Sequence, residues 1–162
     1  MRISKIVIRN WRSIKDLEFH PTDITALIGP NNAGKTNILS ALAFLLGERW
    51  PSANTLQDTD FYRKDRSRNL YISASFDGAP DNIARVWFST EEGRLQCTFN
   101  GNDRAYNMTQ ARRELIPLVY LDAARSFDSA FSSSQWSLFG RIVRELDADF
   151  RRTQPEAVQT AV

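Results

Sequence analysis

The sequence has one cysteine, Cys97, and one histidine, His20, in 162 residues. A single thiol excludes an intrachain disulfide and any metal site built on cysteines. His20 has neither a cysteine neighbour nor the serine arrangement that nucleophilic catalysis uses, so it reads as a structural residue closing a strand. No run approaches the roughly 18 consecutive apolar residues of a membrane span. Residues 1–10 alternate charged and apolar side chains and lack the apolar core of an export signal, which makes a reducing cytoplasm the default location. Nor is there an excess of charge: the formal net charge is +2, too mild to identify a nucleic-acid binder. The basic residues are mostly arginine, as at Arg63, Arg66, Arg68, Arg112 and Arg113. That preference suits phosphate contacts and equally a solvated, arginine-rich surface.

The residues that are present sort into recognisable elements. Ile3, Ile6, Val7 and Ile8, then Leu17 and Phe19, predict two paired strands around an Arg12-Ser13 turn. Residues 24–28, Ile-Thr-Ala-Leu-Ile, are nearly continuous apolar sequence and predict a strand covered on both faces. From Lys35 the pattern is helical, with Ile38, Leu39, Leu42, Leu45 and Leu46 on one face and Gly47 able to end it. Residues 48–68 read as an irregular surface connection. Strands follow at 70–76, 84–89 and 95–99, with Asn100-Gly101 as a hairpin turn and Tyr106 on the returning strand. Thr109 is a candidate N-cap for a short helix at 110–115. The run Leu118-Val119-Tyr120-Leu121 is expected to rejoin the main sheet. A helix at about 135–152 presents Trp136, Phe139, Val143, Leu146 and Phe150 as a stripe, and residues 153–162 read as a frayed tail or truncation point.

The chemistry lies between the apolar run and the first helix. Gly29-Pro30-Asn31-Asn32-Ala33-Gly34-Lys35-Thr36 fits the G-x-x-x-x-G-K-[ST] phosphate-binding pattern at every fixed position. Backbone N–H groups that turn inward around a β-phosphate need a loop without bulky Cβ atoms at Gly29 and Gly34, and the helix N-terminus adds partial positive charge. Lys35 would bridge β- and γ-phosphate oxygens, and the Thr36 hydroxyl would be a ligand of Mg²⁺. The candidate cofactor is ATP with Mg²⁺. Its contacts are Gly29, Asn31, Asn32, Ala33, Gly34, Lys35, Thr36 and Asn37, with Thr36 on the metal.

With these residues in place the sequence resembles a known group. Ile6-Val7-Ile8-Arg9-Asn10-Trp11-Arg12-Ser13, followed by Ile28 through Leu39, is similar to the start of ABC-type ATPase heads of the RecF and SMC group. The likeness is greatest to OLD-family ATP-dependent endonucleases, whose pattern Asp60-Phe61 also resembles; it covers roughly the first 65 residues well. The resemblance implies an α/β P-loop NTPase fold: an ABC-type head lobe at 1–152, with a mixed sheet and an antiparallel β subdomain at about 70–106. It implies further that Arg12 and Ser13 lie near the nucleotide's phosphates or base, although an Arg-Ser turn is also common on solvated surfaces. Dimerisation through ATPase heads and DNA as a partner follow from the same likeness.

Other parts of that pattern are missing: a Ser-Gly signature, a Walker B Asp-Glu, a switch histidine and a metal-binding Toprim domain. Leu118 to Asp122 imitates Walker B, but Ala123 stands where the water-positioning glutamate belongs. The segment therefore reads as the strand before the Q-loop, where Asp122 or Arg125 could replace the absent glutamine. No catalytic residue is identified, and slow hydrolysis is expected of this chain. Asp58 and Asp60 could share a metal or be solvated loop carboxylates. A self-contained P-loop kinase and a non-catalytic DNA-binding or dimerisation module with a nucleotide switch are the competing readings.

Overall fold

The structure is a computed structural model that describes residues 1–47, 49–120 and 143. The chain divides into two compact units, Met1–Leu118 and Val119–Val162, and the first is built on a six-stranded sheet. β1 (Arg2–Trp11) turns at Arg12-Ser13 into β2 (Ile14–Phe19), as their β-branched alternation predicts. After a helix and an irregular stretch come β3 (Tyr71–Asp77), β4 (Ile83–Ser89), β5 (Leu95–Phe99) and β6 (Asn102–Asn107). Their order in the sheet is β2-β1-β3-β4-β5-β6, with every neighbouring pair antiparallel. The expected antiparallel group is thus continuous with the N-terminal pair, because β3 pairs with β1. The β5–β6 hairpin turns at Gly101, whose φ of 76° is the left-handed value that Asn-Gly turns need.

The register explains the core. Phe19, Ile6, Ala74, Val86, Cys97 and Tyr106 form one row across the sheet, and Leu17, Ile8, Ile72, Phe88 and Leu95 form the next. Because side chains alternate with period two, both rows face the same side. Helix α1 (Lys35–Leu46) covers them with buried Ala41, Leu42 and Leu45. Phe44 stands between Trp11 and Phe88, its ring centroid 5.2 Å from each. Each large side chain buried in this layer contributes about 1.5–3 kcal/mol.

Gly47 ends α1 as the spacing predicts, its N–H returning to the Ala43 carbonyl at 2.9 Å. The surface reading of Arg113 is corrected. Only 7% exposed, it donates to the carbonyls of Gly47 and Arg49 while its guanidinium lies over the Trp50 ring. The carbonyls at a helix end lack intrahelical donors, and Arg113 supplies them from 64 or more residues away. Burial pushes its pKa down. Short 3₁₀ turns at Ala53–Thr55, Asp58–Asp60 and Tyr62–Lys64 organise the irregular connection. Thr109 caps α2 (Gln110–Glu114) by accepting from the Arg112 N–H at 3.3 Å.

Two strand expectations fail. Residues 24–28 join no ladder, and Ile24 and Ile28 are 91% and 93% exposed. A run apolar enough for a strand covered on both faces has no neighbour on either edge among the described residues, so pairing is missing although the composition is right. Leu118, Val119 and Tyr120 likewise carry no ladder. Leu121, Asp122 and Arg125 lie outside the described residues, as does the 135–152 helix apart from Val143, which is helical. His20 follows β2 immediately and is exposed, so it closes the strand as expected.

Candidate functional site

The phosphate loop is built by two left-handed residues and the start of α1. Asn32 has φ 65° and Gly34 φ 89°, and Ala33 donates its N–H to the Pro30 carbonyl at 3.3 Å. Gly34 is the N-cap: its carbonyl accepts from Asn37 N at 2.9 Å and Ile38 N at 3.2 Å. Lys35 and Thr36 are therefore the first residues of a 12-residue helix whose opening turn has no acidic side chain. The positive end of its dipole is available to an anion. The Lys35 ammonium donates to the carbonyls of Gly29 and Pro30, each at 2.7 Å, and so spans the two ends of the loop. Asn31, Asn32, Ala33 and Thr36 are exposed, and Gly34, Lys35 and Asn37 half-buried.

The two fixed glycines are not equivalent. A Cβ on Gly34 would sit 2.9 Å from Ser13 Oγ on a backbone whose φ already disfavours L side chains. A Cβ on Gly29 would meet Ala33 Cβ at 3.5 Å, an ordinary contact, and its φ is not left-handed. The packing of the folded chain by itself thus demands glycine at Gly34 and tolerates a Cβ at Gly29.

Trp11 and Ser13 fold against the opening of α1, next to the loop. Trp11, 2% exposed, donates its indole N–H to Asn37 O and Ser40 Oγ, both at 3.1 Å. Ser13 Oγ accepts from Asn37 Nδ2 at 2.7 Å. The strand-to-strand turn and the phosphate loop thus share Asn37, and Ser13 touches the space behind Gly34. Arg12 has φ 48°, a left-handed value costing roughly 1–2 kcal/mol for a residue with a Cβ. Its N–H donates to Asp60 O at 2.8 Å and its Nε to Asp60 Oδ1 at 3.1 Å. Asn10, also left-handed at φ 55°, donates its amide to the carbonyls of Asp65 and Arg68.

Asp58 pairs with Arg66, and Asp60 pairs with Arg12 while accepting from the Gln57 N–H at 3.1 Å. No cluster of three or more metal-ligating side chains occurs among the described residues. The pairing of Asp60 with Arg12 is what the sequence does not reveal. The Asp60-Phe61 pair is visible in the sequence, but its partner lies 48 positions away across a fold contact.

Comparison with known proteins agrees with this geometry. The family model described as "AAA ATPase domain" matches residues 1–114. The chain is 36% identical to an OLD nuclease of Thermus scotoductus over 92% of its own length and 32% of that protein's. It is 32% identical to a chromosome partition protein Smc of Thauera aminoaromatica over 97% of its length and 14% of the Smc chain. With a DNA replication and repair protein RecF of Desulforamulus reducens it shares 32% identity over 64% of its length and 27% of RecF's. The chain therefore spans a third or less of each of these relatives. The likeness to OLD, RecF and SMC heads stands, and with it the α/β P-loop fold class.

Proposed function

This chain belongs to the AAA ATPase domain family, and from that premise we propose that it is the ATP-binding lobe of an OLD-like ATPase and endonuclease that processes DNA. The observation that supports this most is the loop itself: Gly34 left-handed at the N-cap, Lys35 and Thr36 opening α1, and the Lys35 ammonium spanning the loop's ends. The residues fit a magnesium nucleotide. Phosphate oxygens are stronger acceptors for Lys35 than the two carbonyls it meets, and the Thr36 hydroxyl is a hard oxygen ligand of the kind Mg²⁺ takes. Asn31, Asn32, Ala33 and Asn37 complete the cradle around Gly29 and Gly34, with Arg12 and Ser13 beside it. Bound Mg²⁺ would supply charge neutralisation across the β- and γ-phosphates. On this reading the lobe extends over residues 1–152.

The names of the relatives, a nuclease, a replication and repair protein and a chromosome partition protein, support DNA as the eventual partner. Head-to-head dimerisation and a cytoplasmic setting belong to the same reading. Among the described residues no helix is long and apolar enough to cross a membrane.

Titration calorimetry tests the nucleotide site. Removing a charge-assisted contact costs about 1.5–3 kcal/mol, so Lys35→Ala should weaken Mg²⁺-ATP binding about tenfold to a hundredfold. Thr36→Ala should weaken it mainly when Mg²⁺ is present, since its role is on the metal. Parent-like affinity in Lys35→Ala, with an unchanged circular dichroism spectrum, would sink the assignment.

A further inference from the structure

We propose that Asp60 positions Arg12 for the nucleotide's phosphates, an inference that rests on reading the loop at residues 29–36 as the ATP site. Asp60 holds Arg12 twice, by its carbonyl to the Arg12 N–H at 2.8 Å and by Oδ1 to Nε at 3.1 Å. The carboxylate is itself fixed, because Oδ2 accepts from the Gln57 N–H at 3.1 Å. Its side chain is 15% exposed against 41% for Arg12, so the acid is the sheltered member and the base the presented one. The neighbouring residues are tied as well: Trp11 opposes Phe61 in an antiparallel bridge, and the Arg12 guanidinium lies 5.1 Å from the Trp11 ring. On the other side, Ser13 meets Asn37 and the space behind Gly34. Arg12 is thereby held to the 58–61 turn and lies in sequence between Trp11 and Ser13, the two residues that touch the opening of α1 and Gly34.

An ion pair this exposed on its arginine side adds little to stability, and it sits on a left-handed backbone at φ 48°. What the arrangement provides is direction. The bond through Nε uses one of the five guanidinium donors, and no described residue accepts from the other four. Those donors form the planar edge that recognises phosphate oxygens. An arginine ordered before binding loses less rotamer entropy when the nucleotide arrives, which is the physical content of preorganisation. A purely structural Asp60 would instead serve only the Gln57 N–H and the turn.

A double-mutant cycle in Mg²⁺-ATP affinity separates the two roles. Asp60→Asn keeps an acceptor for Gln57 and removes the charge that orients Arg12. It should weaken binding about three- to tenfold in the parent and less than about twofold in an Arg12→Ala background. Asp60→Glu, which preserves the charge, should recover part of the loss, and Asp60→Ser, which keeps an acceptor without the charge, takes over the cycle if Asp60→Asn does not fold. Thermal unfolding of each variant is recorded alongside, so that a loss of folded protein is not counted as a loss of affinity. Equal losses in both backgrounds, or parent-like binding in every Asp60 variant while Lys35→Ala is impaired, overturn the positioning role alone. Undiminished binding in Lys35→Ala overturns the ATP-site reading first and this inference with it.

Discussion

At the scale of single residues, the two fixed glycines of the phosphate loop differ in what the packing of the folded chain demands of them. Gly34 combines φ 89° with a Cβ position 2.9 Å from Ser13 Oγ. Gly34→Ala therefore strains the backbone and displaces the hydroxyl that accepts from Asn37, and should cost about 2 kcal/mol of unfolding free energy in urea titrations. Combining it with Ser13→Ala relieves the steric part but not the φ part, so the pair should be less than additive. Gly29→Ala, with an ordinary 3.5 Å contact in prospect, should stay within about 0.5 kcal/mol of the parent. Equal losses at the two glycines would refute this distinction. The motif names both positions alike; only the fold, which brings Ser13 behind Gly34, tells them apart.

At the scale of elements, what was legible in the sequence is what depends on near neighbours. α1 ends at Gly47, the β5–β6 turn sits at Asn100-Gly101, Thr109 caps α2, and β3 to β5 fall within a residue or so of their expected bounds. Contacts between distant residues were not legible: the β1–β3 register, the Arg12–Asp60 pair and the burial of Arg113 under Trp50. The run at residues 24–28 failed for the same reason, since its hydrophobicity is local while its pairing is not. This has a measurable consequence. In this chain Ile28→Thr should change stability by no more than about 0.5 kcal/mol, because the side chain is 93% exposed. Ile72→Ala, at a fully buried position in β3, should cost about 2–5 kcal/mol. Backbone amides of residues 24–28 should exchange with solvent rapidly while those of β1 and β3 are protected. A protected 24–28 segment would mean that the strand finds a partner in solution.

At the scale of the unit Met1–Leu118, the sheet is joined by long-range pairing: Arg2 meets Asp77 across 75 positions, where β1 pairs with β3. Charge contributes modestly and with a definite sign. Hydrogen bonds from Lys5, Ser67 and Arg2 hold the carboxyls of Glu18, Asp65 and Asp77 below their ordinary values. Their contribution is present above the ordinary carboxylate range and is lost as pH falls through the lowered values, so stability should decline only under acid conditions. Cooperativity itself can be read at Cys97, the single thiol of the chain, which is fully buried in the middle of β5 between Val86 and Tyr106. Burial pushes that thiol up, away from the reactive thiolate, so at about pH 8 an alkylating reagent should leave the native chain unmodified and label it at once in denaturant. Slow native-state labelling then reports how often the sheet opens. If opening is global, Mg²⁺-ATP at about 100 times its Kd should slow labelling about a hundredfold, because ligand binding lowers the unfolded population in proportion. If β5 opens alone, nucleotide bound about 60 residues away in sequence should leave the rate unchanged. Rapid labelling without denaturant would contradict the packing of β4 and β5 that puts Cys97 in the core.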